Sequence, residues 1–229
     1  MRISIMQPGY LPWLGFFELV YNCDLFVLLD DVQYTKKDWR SRNRIRTKDG
    51  WIWLTVPVCI KHKQLQLINE AKINPYTDWR RKHLKALEIN YHRAKYFSNY
   101  FPYFVKLYAR DWEYLLDLDA EIISWLMDAL NIKTPIIKSS SLNMKGRKED
   151  KIINICKKLG AAELYDSKAA QNILDLDKFN EEKIRIKFQD FQHPIYRQTY
   201  EPFLPYMSVI DLLFQCGPES LNILLHKLC

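Results

Sequence analysis

The sequence predicts an α/β protein with a mostly parallel sheet flanked by helices, on three observations. Short apolar runs of strand length alternate with helically periodic segments. Leu25 to Leu29 is a continuous apolar run of the kind that suits a strand buried on both faces. Helix-to-strand steps recur in the second half of the chain.

The elements follow in order. "RISIMQ" reads as a strand, "PWLGFFELVYNC" as a short helix with Leu14, Phe17, Leu19 and Val20 on one face, and "DLFVLLDDV" as the next strand. This opening is Rossmann-like. "WIWLTVPV" (51–58) alternates bulky residues after a "KDG" turn and is expected as a strand beside that first unit. From 76 to 108, Trp79, Leu84, Leu87, Tyr91, Tyr96, Phe97 and Tyr100 recur at helical intervals with an interruption expected near Pro102, which predicts two helices. A third helix spans 112–131, before the strand-like "IKTPIIKSSSL". Residues 145–167 read as a helix stopped by Gly160 and then a strand, 182–194 as a strand, and 207–217 as a helix capped by Gly217. One α/β domain is expected over 1–229, with a helical insertion at about 76–131.

Composition narrows the function. The 229 residues are 48% hydrophobic and 27% charged, an ordinary globular balance without low-complexity tracts. With no signal peptide and no apolar run of membrane-spanning length, a cytoplasmic protein is expected. Five scattered cysteines lack a C-x-x-C pair, which argues against a disulfide framework or a cysteine zinc site. No two histidines stand at i and i+4 with a carboxylate, so no metal is expected. The net charge of +7 fits an anionic small molecule, and no RRM, KH, OB or zinc signature supports a nucleic-acid partner. Neither a Walker A sequence nor G-x-G-x-x-G appears, so no ATP or dinucleotide cofactor is assigned.

Ligands of open α/β sheets sit outside the carboxyl ends of the strands. "QPGYLPWLG" (7–15) occupies that position after the first strand; its prolines stiffen the turn, and Tyr10 and Trp13 offer flat walls for a sugar or base, or else fill the core. The order resembles the start of HIGH-type nucleotidyltransferases, but "WLGF" (Trp13 to Phe16) stands where that motif needs two histidines. Asp30 and Asp31 end the second strand, where a carboxylate orients a hydroxyl or amine. In "KKDWRSRNRIR", strand alternation places Arg40, Arg42, Arg44 and Arg46 on one face, suited to phosphate or carboxylate recognition. His193, at the end of a predicted strand beside Pro194, is the candidate general base. His83 and His92 are expected on a helix surface, and Ser208 with Asp211 as a helix-capping pair.

Taken together, "MQPGYLPWLGFFELV", "DLFVLLDDVQYTKKDWRSRNRI", "WRRKHLKAL", "KLGAAELYDS" and "HPIYRQTYEPFLPYMSVIDLLFQCG" resemble the WbqC family of bacterial proteins, associated with O-antigen and other surface-glycan (lipopolysaccharide) biosynthesis. The resemblance spans about residues 3 to 217. It implies a transferase that attaches an acyl or aminoacyl group, such as glycyl, to a nucleotide-linked amino sugar. It places Gln7, Tyr10, Pro12, Trp13 and Gly15 in a first ligand loop, and Asp30, Asp31, Tyr34, Arg42, Asn43 and Arg44 in a second segment. His193, Pro194, Tyr196, Gln198, Pro205, Ser208, Asp211 and Gly217 fall in a third. "KAAQNILD" (168–175) departs from the Gly-containing loop expected after "LYDS". On this reading His193 and Asp31 are catalytic, and Gln7, Tyr10, Trp13, Asp30, Tyr34, Arg42, Asn43, Arg44, Tyr196 and Gln198 bind substrate. A nucleotide-binding relative of the nucleotidyltransferases and a noncatalytic glycan-pathway binding protein are the alternatives.

Overall fold

A computed structural model describes residues 1–59 and 66–227. In chain order the elements are β1 (Arg2–Met6), α1 (Leu14–Tyr21), β2 (Leu25–Leu28), β3 (Arg42–Thr47), β4 (Gly50–Thr55), α2 (Trp79–Tyr91), α3 (Phe97–Ala109) and α4 (Leu115–Ala129). They continue with β5 (Ile136–Lys138), α5 (Lys148–Leu159), β6 (Glu163–Asp166), α6 (Leu176–Glu181), β7 (Arg185–Phe188), α7 (Val209–Cys216) and α8 (Ser220–Leu224). The chain divides into two interleaved compact units: residues 1–8, 15–32 and 132–192, and residues 9–14, 33–131 and 193–229.

The first unit is a five-stranded parallel sheet in the order β5-β2-β1-β6-β7. Period-two alternation explains its central strand. Ile3 and Ile5 join Val27, Ile153, Ile155, Cys156, Leu164 and Phe179 in one apolar cluster. Ser4 faces the other way and its hydroxyl donates to the Leu19 carbonyl of α1 at 3.4 Å. In β2, Phe26, Val27 and Leu28 are all buried, as the continuous apolar run predicted. Phe26 meets Phe16 of α1 edge-on at 5.1 Å between centroids. Burial of each such side chain contributes about 1.5–3 kcal/mol. Gly160 ends α5 at φ 66°, where its lack of a Cβ admits the left-handed turn into β6.

The second unit holds β3, β4 and the helices α2, α3, α4, α7 and α8. The expected strand after the KDG turn is β4; among the described residues it pairs antiparallel with β3 in a two-stranded sheet, with Thr47 opposite Gly50. Two connecting residues close only an antiparallel hairpin, so the short turn dictates the partner. The helix break shifts. It falls at residues 92–96, and Pro102 lies inside α3. The hydrogen bond that Pro102 forgoes is offset by aromatic packing along α3: Phe97 stacks on Phe101 at 4.4 Å and Tyr103 on Trp125 at 3.8 Å. Gly217 ends α7 at φ 55°, and a Cβ there would lie 2.6 Å from the Tyr96 ring.

Candidate functional site

The proline-rich elbow is held within the second unit by its own backbone and by one side chain. Tyr10 N–H donates to the Trp39 carbonyl at 3.2 Å, and Val209 N–H donates to the Pro12 carbonyl at 2.9 Å. Asn43 Nδ2 donates to the Leu11 carbonyl at 2.7 Å. The same approach leaves little room at Gly9, where a Cβ would stand 3.1 Å from the Trp39 carbonyl oxygen. Tyr10 is fully buried and bonded to His83 Nδ1 at 2.8 Å and to the Tyr108 hydroxyl. The Tyr10 hydroxyl and His83 Nδ1 share one hydrogen bond inside the protein, beside the Tyr108 hydroxyl. His83 is therefore no surface residue. Burial pushes it down to about 3 and keeps it neutral.

The arginine row is split by the hairpin. Cross-strand partners project to one side, so Arg42, Arg44 and Arg46 share a face with Trp53 and Trp51. Arg46 is buried, donating to the carbonyls of Thr47, Gly50, Tyr200 and Pro202, and Arg40 pairs with Asp38. Only Arg42 and Arg44 are left for a ligand. The Arg42 guanidinium lies 4.2 Å over Trp53, and that of Arg44 lies 5.5 Å from Trp39 and 5.2 Å from Trp51. Trp39 and Trp51 are 47% and 42% exposed, so Arg44 sits between two half-open aromatic walls.

Tyr206 gathers the rest. It is 51% exposed and adopts φ 62°. Its ring meets Trp13 at 5.9 Å and His193 at 5.3 Å, and its carbonyl accepts from Arg44 Nη2 at 3.1 Å. Three residues singled out from the sequence, Trp13, Arg44 and His193, thus converge on one that was not. His193 Nδ1 bonds the Pro194 carbonyl at 2.9 Å. Since that oxygen only accepts, Nδ1 carries the proton and Nε2 the lone pair. Burial, with His226 nearby, lowers the His193 pKa and favours the neutral, proton-accepting ring.

Other expected ligand residues are interior. Tyr34 bonds Ser41, and Asn43 holds the elbow. Tyr196 Oη and Gln198 Nε2 both donate to Asp211 Oδ2 at 2.8 Å, while Tyr91 Oη donates to Oδ1 at 2.8 Å. Tyr10, Tyr34, Asn43, Tyr196 and Gln198 are all buried, and each has a side-chain polar atom engaged inside the protein. Ser208 caps α7 by accepting from Ile210 N–H at 3.4 Å. Asp211 does not complete the capping pair, since its oxygens are turned to the two tyrosines and Gln198.

In the first unit, Asp30 and Asp31 end β2 as expected, yet both are engaged. Asp30 accepts from Ser139 Oγ at 3.0 Å, Ser140 N–H at 2.9 Å and Ser140 Oγ at 2.6 Å. Asp31 Oδ1 also lies within hydrogen-bond reach of the Ser139 hydroxyl, whose single proton the two carboxylates share, and Asp31 Oδ2 pairs with Lys151 Nζ at 2.6 Å. The pair joins β2 to the loop after β5 and the start of α5. Sequence reasoning missed Ser139, Ser140 and Lys151, whose partners lie more than a hundred residues away. Gln7 follows β1 and is half-buried. Among the described residues no three metal-capable side chains gather. No helix there is long and apolar enough to cross a membrane.

Comparison with known proteins agrees with the resemblance. The WbqC-like protein family matches residues 7–223. A relative from Mycobacterium tuberculosis, "Uncharacterized protein Rv1507c", is 34% identical over 221 residues, covering 96% of this chain and 95% of the relative. No solved structure matches. The opening and closing motifs thus lie within one matched segment, and the chain belongs to the WbqC-like protein family.

Proposed function

We propose that the protein is a transferase that forms an amide between an acyl or aminoacyl group and a nucleotide-linked amino sugar, in bacterial surface-glycan (O-antigen) biosynthesis. The observation that carries this reading is the cluster on Tyr206, which joins a guanidinium, two aromatic faces and a neutral histidine. Arg44, with Arg42, takes the phosphates; Trp13 and Tyr206 pack on the sugar or base. His193 Nε2, which is buried and which the incoming substrate has to uncover, accepts the proton as the amine attacks the acyl carbon. The C–N bond forms, the bond to the leaving group breaks, and the proton passes to that group. Asp31 keeps a positioning role through Lys151, since both of its oxygens are already paired.

The test is incubation with a nucleotide-linked amino sugar and activated acyl or glycyl donors, following amide formation by mass spectrometry. Arg44→Ala is expected to raise KM and His193→Ala to lower kcat. Unchanged kinetics in both variants would remove the assignment. The strand order of the first unit favours a second reading, a nucleotide-binding relative without transfer chemistry. Calorimetry with ATP and CTP separates the two, because that reading needs a nucleotide alone to bind.

A further inference from the structure

The parallel sheet reverses its strand order at one place. β1 has β2 on one side and β6 on the other, so the chain leaves its two flanks in opposite directions. Such a reversal opens a crevice at the carboxyl ends of the two strands. The register aligns Ile3 with Leu164, and continued along both strands it brings Asp166 level with Ile5. Ile3, Ile5 and Leu164 point into one apolar cluster with α5. Alternation therefore puts Gln7 and Asp166 on that same face, at its polar rim.

Asp166 is 7% exposed, and its Oδ1 accepts from the N–H of its own neighbour, Ser167, at 2.6 Å. No cation among the described residues pairs with it, whereas Asp31 on the same face is paired with Lys151. Burial raises the Asp166 carboxyl to about 6, so at neutral pH it carries a charge that its surroundings disfavour. A cationic guest relieves that penalty, and a neutral diol does not. Among the described residues no group of three His, Cys, Asp or Glu side chains gathers there to hold a divalent metal.

We propose that the crevice at the carboxyl ends of β1 and β6 binds a primary ammonium group, held by Asp166 with Gln7 at its rim. The site reaches beyond the transferase reading and does not depend on it. A ligand bearing an amine, whether an amino acid or an amino sugar, places its ammonium against the carboxylate in a charge-assisted hydrogen bond.

The full chain, labelled with 13C at the aspartate carboxyls, is titrated at pH 7.5 with ethanolamine and with ethylene glycol, which replaces only the ammonium with a hydroxyl. The Asp166 signal is identified by its loss in Asp166→Asn and by its titration near pH 6 in the wild type, the second needing no variant. It is expected to shift with ethanolamine and not with ethylene glycol, and Asp166→Asn is expected to weaken ethanolamine binding by about tenfold. Equal shifts with both compounds, no shift with either, or undiminished binding by Asp166→Asn would overturn the site. Ethanolamine binding without amide formation in the transferase assay would keep this site and discard the transferase.

Discussion

Arg44 Nη2 donates a hydrogen bond to the carbonyl oxygen of Tyr206 at 3.1 Å. The bond fastens the β3–β4 hairpin to a residue in the left-handed region, a conformation that costs a non-glycine residue about 1–2 kcal/mol. A charged donor is well suited to offset that cost. The same guanidinium lies between Trp39 and Trp51, so one side chain positions Tyr206 and presents a positive charge.

Arg44→Lys separates charge from shape. Lysine keeps the charge but loses the planar surface over the indoles and the fork that reaches Tyr206. Calorimetry with a nucleotide-linked amino sugar should show binding weakened by about tenfold in Arg44→Lys and further in Arg44→Ala. Wild-type affinity in the lysine variant would mean that stacking is irrelevant.

His83 predicts an acid-labile fold. Its folded pKa, about 3, lies below the unfolded 6.5, so the unfolded chain binds more protons and stability is lost as pH falls from about 6.5 toward 3. At pH 5 the loss from this group is about 2 kcal/mol. Asp166 acts in the opposite sense, its raised pKa removing stability as pH rises through about 4 to 6. Urea titrations across this range should show less acid destabilisation in His83→Gln than in the wild type; parallel profiles would contradict the assignment.

The Asp211 network is a structural keystone of the second unit. Asp211→Ala removes the acceptor of the Tyr91 and Tyr196 hydroxyls and of one Gln198 N–H, and is expected to cost about 3 kcal/mol. Asp211→Asn, which keeps one acceptor oxygen, should cost less. Equal unfolding midpoints for wild type and Asp211→Ala would show that the network adds nothing.

Asp119 is fully buried in α4 with no hydrogen-bond partner on either oxygen, and burial raises its pKa well above the usual carboxylate range. Asp119→Leu, similar in shape and free of the desolvated carboxyl, should stabilise the protein by about 1–2 kcal/mol in chemical denaturation. A destabilised leucine variant would point to a need for the acid itself.

Local chemistry was legible in the chain. The strands β1, β2, β6 and β7, the stop at Gly160, the α7 cap at Ser208 and the family motifs follow from periodicity, steric demand and short-range hydrogen bonding, all of which act over a few neighbouring residues. Pairing was less so: the pattern of residues 51–58 names no partner for β4, and Pro102 marks no helix end, because propensity does not report which strand lies alongside or which aromatics offset a missing bond.

The sequence by itself determined the α/β class, the family and the identity of Trp13, Arg44 and His193 as residues of interest. Only the tertiary structure decided that Tyr206 joins those three, that Tyr10, Tyr196 and Gln198 are interior, that Asp31 is paired with Lys151, and that Asp166 has no cation among the described residues. Burial and ion pairing are set by groups far apart in the chain, and the same carboxylate or tyrosine reads alike in a sequence whether water or protein surrounds it.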